Sequence, residues 1–513
     1  MDSVIEPLLG PADLARLRTA LDDFTVDAVS QTLGPVGDAA LGRGDRAGVA
    51  RQLDTAVDAR LAALLRLFLL GAEVEEKDAR RALHPLDLAA ADAAGLVGVS
   101  AGACRALLDV RPYAEASDSG PGWWVVSDFG SDVRTGKLAA DHVLGIGAAA
   151  LTLAQATPRD QVRHALDVGT GCGVQALHLG QHAARVTATD ISRRALRLAA
   201  TTAALSDQSW DLRAGSLLAP VDGELFDLVV ANPPFVVSPG AAEHEYRDSG
   251  LPGDEVCRRL VSGLPGILAA GGTAQLLANW IIPADGDWQE RVSGWLTGSG
   301  CDAWVWQREI ADPSEYVAMW LRDAGLHPHA PGWNRRYDDW LDWFAAHGVA
   351  GVGMGMVTLW RRPDGDPPSP VLVLEDVRQA VQQPVGQHLP DWVARQRWLA
   401  ARSDAQLLAE SLSVAPDVVR TRQDLLGDDG WTTARATLRQ SHGMRWEVEV
   451  DDAVAAFVAA CGASAPTHLI VDVLAASLDA DRTSVAAGLG PVVRDLVARG
   501  FLLPPESTCR VTA

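Results

Sequence analysis

The sequence predicts an α/β protein: a mostly parallel, Rossmann-like sheet of seven strands between residues 131 and 363, preceded by a helical region and followed by an α+β region. Three observations predict this. Strand-length apolar runs alternate with helical patterns across residues 131–363, as expected for a sheet covered by helices on both faces. A glycine-rich turn, Asp167-Val-Gly-Thr-Gly-Cys-Gly173, follows the first of these runs. An acid, Asp190, ends the next run about twenty residues beyond the glycines.

The bulk properties narrow the class. A chain of 513 residues has room for roughly two to four domains of about 150 residues. An apolar share of 48% is that of a globular protein. The apolar runs at 61–72 and 143–154 fall short of a membrane span, which needs about 20 residues. The first residues lack the basic and apolar regions of a signal peptide, so a cytoplasmic protein is expected. Cys104, Cys172, Cys257, Cys301, Cys461 and Cys509 are scattered without a Cys-x-x-Cys pair, which argues against a disulfide framework or a metal site. A net charge of −22 opposes non-specific nucleic-acid binding, although a local basic cleft can coexist with an acidic body.

Residues 1–130 read as an N-terminal domain. Helical spacing occurs over 14–21, 49–70 and 78–83, with His84-Pro85 as a breaker and a short helix at 86–94. Apolar segments at 104–110 and 123–129, separated by the turn-rich stretch 117–122, complete a winged-helix-like pattern. Acids outnumber bases over 73–115, so the electrostatic footprint of DNA binding is missing and a packing or substrate-orienting role is expected.

The central domain, 131–363, has strands predicted at 164–169, 185–191, 211–215, 226–232, 273–281, 303–309 and 351–362. Ser192 is the expected N-cap of a helix at 193–203, which places Asp190 at a strand tip. A Trp-rich insertion, 312–347, carries Trp320, Trp333, Trp340 and Trp343; Trp320, Trp340 and Trp343 fall at roughly helical spacing, which suits packing onto the sheet. Trp280, Trp304 and Trp306 could stack on bases or line a pocket. Residues 363–370 read as a linker. The C-terminal α+β domain, 371–513, ends in helices at 484–488 and 492–499 and a strand at 501–503, again winged-helix-like.

Glycines at 169, 171 and 173 permit a tight turn and close approach of a ligand to the backbone. Asp167 can order that turn or accept a hydrogen bond from a cationic ligand group. Asp190 is placed to bind two ribose hydroxyls, which leaves dinucleotide binding open. Two features disfavour it: the glycine spacing is not Gly-x-Gly-x-x-Gly, and the fourth strand ends in Asn232-Pro233-Pro234-Phe235. Those prolines stop the strand and fix the backbone. The Asn232 side chain and the Pro233 carbonyl can then accept hydrogen bonds from a planar amine, with Phe235 stacking on it.

With these residues in hand, 131–362 resembles a class I S-adenosylmethionine-dependent methyltransferase of the small-domain family, which includes rRNA guanine-N2 methyltransferases and is related to release-factor glutamine N5-methyltransferases. The residues carrying the resemblance are Asp167, Gly169, Gly171, Gly173, Asp190 and Asn232 to Phe235, with flanking similarity at 135–144, 246–250, 268–273 and 278–279. It implies a cofactor site of Asp167, Gly169, Thr170, Gly171, Gly173, Asp190, Ile191, Ser216, Leu217 and Asn232 for S-adenosylmethionine. It implies a catalytic turn of Asn232, Pro233, Pro234 and Phe235. One departure stands out: where many relatives have an acid facing adenine, Ser216 and Leu217 follow Gly215 here. Asp132, His142, His244 and Asp248 are further candidates for substrate contact. The implied function is N-methylation of an sp²-attached amine on a macromolecule, with an rRNA base first and a protein glutamine or a small molecule or peptide as alternatives. A methyltransferase-fold binding protein without catalysis is the reading from another class.

Overall fold

The computed structural model describes residues 4–114, 122–130, 133, 139, 141–240, 250–363, 369–427, 430–461 and 466–505. The chain groups into two compact units: residues 1–154, 161–299 and 304–361 in the first, and 155–160, 300–303 and 362–513 in the second.

The first unit is built on strands β1 (Val162–Val168), β2 (Ala183–Asp190), β3 (Asp211–Ala214), β4 (Phe226–Ala231), β5 (Leu268–Pro283), β6 (Cys301–Ala311) and β7 (Val349–Arg361). They lie side by side in the order β3-β2-β1-β4-β5-β7-β6. The first five pair in parallel, and their order reverses between β1 and β4. The C-terminal halves of β1, β2 and β4, short of Asp190 at the tip of β2, are continuously buried, as expected of strands covered on both faces, with Asp167, Thr187 and Thr189 among the buried residues.

All seven predicted strands are present, with three differences. β7 is antiparallel to β5, so the sheet is mixed. β5 begins five residues earlier than expected, because Gly271 has a φ of +78° and the register to β4 shifts between Leu268 and Thr273, hiding the strand's start from the alternation. A further strand, Leu372–Asp376, lies within the second unit beside residues 301–303, where Ala303 N–H donates to the Val371 carbonyl at 2.9 Å.

Helices α1 (Val174–Leu179), α2 (Arg193–Leu205), α3 (Glu255–Gly263), α4 (Trp288–Leu296), α5 (Pro313–Asp323) and α6 (Trp333–Ala346) complete the central region. Ser192 caps α2 as expected, accepting from Ala195 N–H at 3.3 Å. Asp312 caps α5, accepting from the N–H groups of Ser314 and Glu315, with Pro313 at the first helical position.

The N-terminal helices share one hydrophobic cluster with the sheet region. Leu17, Phe24, Leu64 and Phe68 continue through Trp123 and Trp124 to Leu177, Leu198 and Leu205. Two stretches differ from expectation. Residues 49–70 are not one helix: Arg46–Leu53 ends, and Asp58 caps a new helix, Ala59–Leu64, by accepting from Arg60 and Leu61 N–H. Residues 104–110 are not one strand either. Ala103–Ala106 pairs with Val97–Ser100 and with Glu73–Glu75, whereas Asp109–Tyr113 pairs with Trp123–Ser127.

The second unit mixes helices with a three-stranded antiparallel sheet of Val418–Gly427, Gly430–Gln440 and Glu447–Glu449. The two helices expected at 484–488 and 492–499 are one, Arg482–Ala498. It runs through Pro491 because Leu489, Val493, Leu496 and Val497 bury a single face on both sides of it. Among the described residues no helix is long and apolar enough to cross a membrane.

Trp280, Trp304 and Trp306 belong to the core: all three are fully buried. Trp280 stacks on Trp288 with ring centroids 5.3 Å apart and donates to Gln307 at 3.0 Å. Gly353 and Gly355 on β7 make room for them; a Cβ at Gly355 would collide with the Trp306 carbonyl oxygen and the Trp280 ring. Gly355→Ala should therefore destabilise the first unit by about 3 kcal/mol through overpacking. The unfolding midpoint in urea measures it, and an unchanged midpoint would show that β7 can shift at no cost.

Candidate functional site

β1 delivers the chain to the glycine turn at the point where the strand order reverses, where open α/β sheets form ligand crevices. Gly169 and Gly171 have φ of +73° and +55°, conformations that L side chains rarely adopt. Gly169 and Thr170 N–H both donate to the Thr189 carbonyl at 2.9 Å, which pins the turn to the end of β2. Asp190 completes the attachment. One carboxylate oxygen accepts from Gly171 N–H at 2.9 Å and the other from Ser192 N–H at 2.8 Å. A carboxylate oxygen can accept more than one hydrogen bond, so this is a group to which ribose hydroxyls can donate. The Asp190 carbonyl accepts from Gly215 N–H at 2.9 Å, bringing Ser216 and Leu217 alongside.

These groups enclose a cleft of about 580 Å³, within the size range of small-molecule and cofactor sites. Ten of the thirteen predicted site residues line it: Gly169, Thr170, Gly171, Asp190, Ile191, Ser216, Leu217, Asn232, Pro233 and Pro234. Ile191, 62% exposed, offers an apolar surface to a flat ligand. A Cβ on Gly171 would meet nothing within 4 Å, so its absence leaves open space above the turn. The donor set and shape fit a nucleoside-bearing cofactor.

Three predicted residues are placed otherwise. Asp167 lies buried beneath the turn, accepting from the Thr170 hydroxyl at 2.6 Å. Gly173 faces inward, where a Cβ would strike the Trp210 ring. Phe235 turns toward the insertion and meets Trp320 edge-on at 6.0 Å.

The Trp-rich insertion packs onto the strand that follows the Asn-Pro-Pro-Phe turn. Tyr316 on α5 accepts from Val237 N–H and from the Asn279 side chain, each at 2.9 Å. Burial pushes its hydroxyl above the usual phenol range. Trp340 on α6 donates to the Val237 carbonyl at 3.2 Å. Among the described residues the Asn232 side chain, half-buried at the cleft floor, has no hydrogen-bond partner.

Of the opposite wall, residues 141–145, sequence reasoning named only His142 as a candidate contact, and it missed Gln175 and Arg259. Asp128 fastens that wall. It takes two hydrogen bonds from the Arg194 guanidinium at 2.6 and 2.7 Å and one from Val143 N–H at 2.8 Å. Burial by itself would raise the Asp128 carboxyl; Arg194 and the Val143 N–H outweigh it and hold the group below the usual range. His142, a candidate for substrate contact, is buried with Nδ1 3.6 Å from Asp128 and does line the cleft. The flanking similarity at 135–144 was the available signal for this wall, but it named no partner. Asp132, His244 and Asp248, and most of the stretches at 135–140 and 246–250, lie outside the described residues. Cys172 also lines the cleft, but burial pushes its thiol up to about 12, so it is no nucleophile at neutral pH. Among the described residues no cluster of His, Cys, Asp or Glu is placed to hold a metal ion.

A mixed sheet with a cofactor-sized cleft at its switch point and an Asn-Pro-Pro-Phe turn on the floor is the framework of a methyltransferase domain. The comparisons agree: residues 142–284 match the family model described as methyltransferase small domain. Residues 22–107 and 390–504 match models described as domains of unknown function (DUF7059 and DUF7782). Among curated relatives, a ribosomal protein uL3 glutamine methyltransferase of Bordetella pertussis is 37% identical over 130 residues, 23% of this chain and 43% of the relative. A release factor glutamine methyltransferase of Deinococcus radiodurans is 42% identical over 124 residues, 22% of this chain and 44% of the relative. A ribosomal RNA small subunit methyltransferase C of Alcanivorax borkumensis is 30% identical over 118 residues, 23% of this chain and 33% of the relative. The chain thus spans less than half the length of these relatives.

Burial, together with the nearby charge of Asp190, pushes the Asp167 carboxyl up to about 7, against the pull of the Thr170 hydroxyl. The folded state therefore holds a proton that the unfolded chain releases near pH 4, and stability should fall as pH rises from about 4 to 7. Asp167→Asn, which keeps the shape and cannot ionise, should flatten that slope. Urea titrations of both proteins at pH 5 and 7.5 measure it, and an equal pH dependence in the two would refute the assignment.

Proposed function

We propose that this chain is an N-methyltransferase that transfers a methyl group from S-adenosylmethionine to a planar, sp²-attached nitrogen of a macromolecule. The observation that carries it is Asn232, unpartnered among the described residues, on the floor of the cleft beside Asp190 and the glycine turn. The cofactor, when bound, supplies an electrophilic methyl on a sulfonium, which needs orientation more than acid–base help. In this reading Asp190 binds the ribose hydroxyls, the turn at 169–171 admits the methionine end, and Ile191 and Leu217 flank the adenine, with Ser216 taking the place of an acid. The Asn232 side-chain oxygen and the Pro233 carbonyl accept the two N–H bonds of the acceptor and point its lone pair at the methyl. The new N–C bond forms as the S–C bond breaks, and the extra proton leaves to solvent. Phe235, held against Trp320, supports the turn and does not stack on the acceptor.

Of the two macromolecular acceptors, a glutamine side chain in a protein is favoured over a base in rRNA. The charged side chains on the described cleft lining besides His142 are Asp141, Asp190 and Arg259, and Arg259 is already ion-paired with Glu255 at 2.7 Å. With a net charge of −22, this is a poor surface for phosphates. The winged-helix-like region within 1–130 and the domain at 371–513 are the proposed recognition surfaces for a cytoplasmic protein acceptor.

Asn232→Ala should bind S-adenosylmethionine within about threefold of the parent by calorimetry and lose at least about 100-fold in transfer, as expected for a group acting only on the acceptor. Turnover retained by this variant would sink the assignment, and absence of cofactor binding by the parent at millimolar concentration would sink the enzyme reading. Methyl-labelled cofactor incubated with a cell extract should label protein; label confined to RNA would restore the rRNA reading.

A further inference from the structure

The hairpin of Val418–Gly427 and Gly430–Gln440 is the most exposed secondary structure of the second unit. Every residue from 419 to 427 is exposed. Leu425 and Leu426 are each 67% exposed, and Trp431 is 71% exposed. Two-stranded ribbons are marginal in water, and a long exposed strand edge is a template for pairing with another chain. On its inner side Val418–Gly427 pairs with Gly430–Gln440; its outer edge has no neighbouring strand among the described residues.

The charges on that edge select its occupant. Arg420, Arg422 and Asp424 alternate along the strand, and Arg422 lies 3.3 Å from Asp424 on one face, although the register to the inner strand shifts between Gln423 and Asp424. When two copies of one strand pair antiparallel about a two-fold axis, the same face stays on the same side, so the register centres on a residue. Two registers overlap nine of the ten residues of Val418–Gly427. Centred on Arg422, Arg420 opposes Asp424 of the second copy on both sides of the axis, but Arg422 opposes its own copy at the centre. Centred on Gln423, Arg422 opposes Asp424 of the second copy on both sides of the axis, and Arg420 lays its stem over Leu426. Opposite charges directly across a ladder stabilise it and like charges destabilise it.

We propose that the outer edge of Val418–Gly427 pairs with the same edge of a second copy of this chain, in the register centred on Gln423. A nucleic acid suits this ribbon less well. Arg420, Arg422 and Arg435 already lie 2.9, 3.3 and 3.2 Å from Asp452, Asp424 and Glu449. The sequence also places Asp428 and Asp429 between the two strands, where they repel phosphates.

Sedimentation of the full chain at micromolar concentration should give twice its 54.3 kDa. Asp424→Arg creates two arginine pairs across the axis and Arg422→Asp two aspartate pairs, so each should weaken the dimer by about tenfold or more. An equimolar mixture of the two variants restores opposite charges at every position and should recover the dimer. Both side chains are at least 36% exposed, so melting curves of the variants should match the parent's. A monomeric parent, a dimer that survives both reversals, or variants that fail to associate with each other would overturn the proposal. So would a monomer that binds a labelled RNA oligonucleotide through Arg420 and Arg422.

Discussion

The carboxylate of Asp190 is the constraint on which the site depends. Its oxygens take the N–H groups of Gly171 and Ser192, while its carbonyl takes that of Gly215. One residue at the tip of β2 thereby ties together the glycine turn after β1, the start of α2 and the loop after β3. The two hydrogen bonds to the charged carboxylate are worth about 1.5–3 kcal/mol each, and with the backbone bond to Gly215 they hold three otherwise independent loops in a single arrangement. The same charge acts on its surroundings: with burial, it raises the nearby Asp167 carboxyl, which therefore staples the turn from below instead of meeting a ligand.

The walls of the cleft are held from opposite sides by groups far away in the chain. On one side Asp128, fastened by Arg194, grips the backbone of Val143. On the other, Tyr316 and Trp340 of the insertion grip the backbone of Val237, two residues beyond Phe235. Both attachments are made to backbone groups, so they position a loop whatever its side chains are. The tryptophans in the insertion and sheet thus act through packing: Trp280, Trp304 and Trp306 fill the core, and Trp320 braces Phe235. A floor fixed on two sides suits chemistry in which alignment of nucleophile, carbon and leaving group supplies the rate.

Much of this was legible in the residues themselves. The positions of the seven strands, the cap at Ser192 and the gathering of ten site residues follow from alternation, turn glycines and strand-end polar groups, all of which are local signals. The errors share a cause. The antiparallel β7 and the inward placement of Gly173 against Trp210 depend on partners distant in sequence, and a period-two pattern is the same for a parallel and an antiparallel strand. Residues 49–70 and 104–110 were misread because an apolar run continues across a capped break, and hydrophobicity alone does not register a change of partner.

The sequence by itself determined the class of site: a glycine turn, an acid at the next strand tip and an Asn-Pro-Pro-Phe turn are covalent facts whose spacing admits few ligands. Only the tertiary structure decided which of those residues face the cleft and what holds its walls, because Arg194, Tyr316 and Trp340 reach it across gaps of 50 residues or more in the chain. Such contacts are fixed by the packing of the sheet and its helices, which no local pattern encodes.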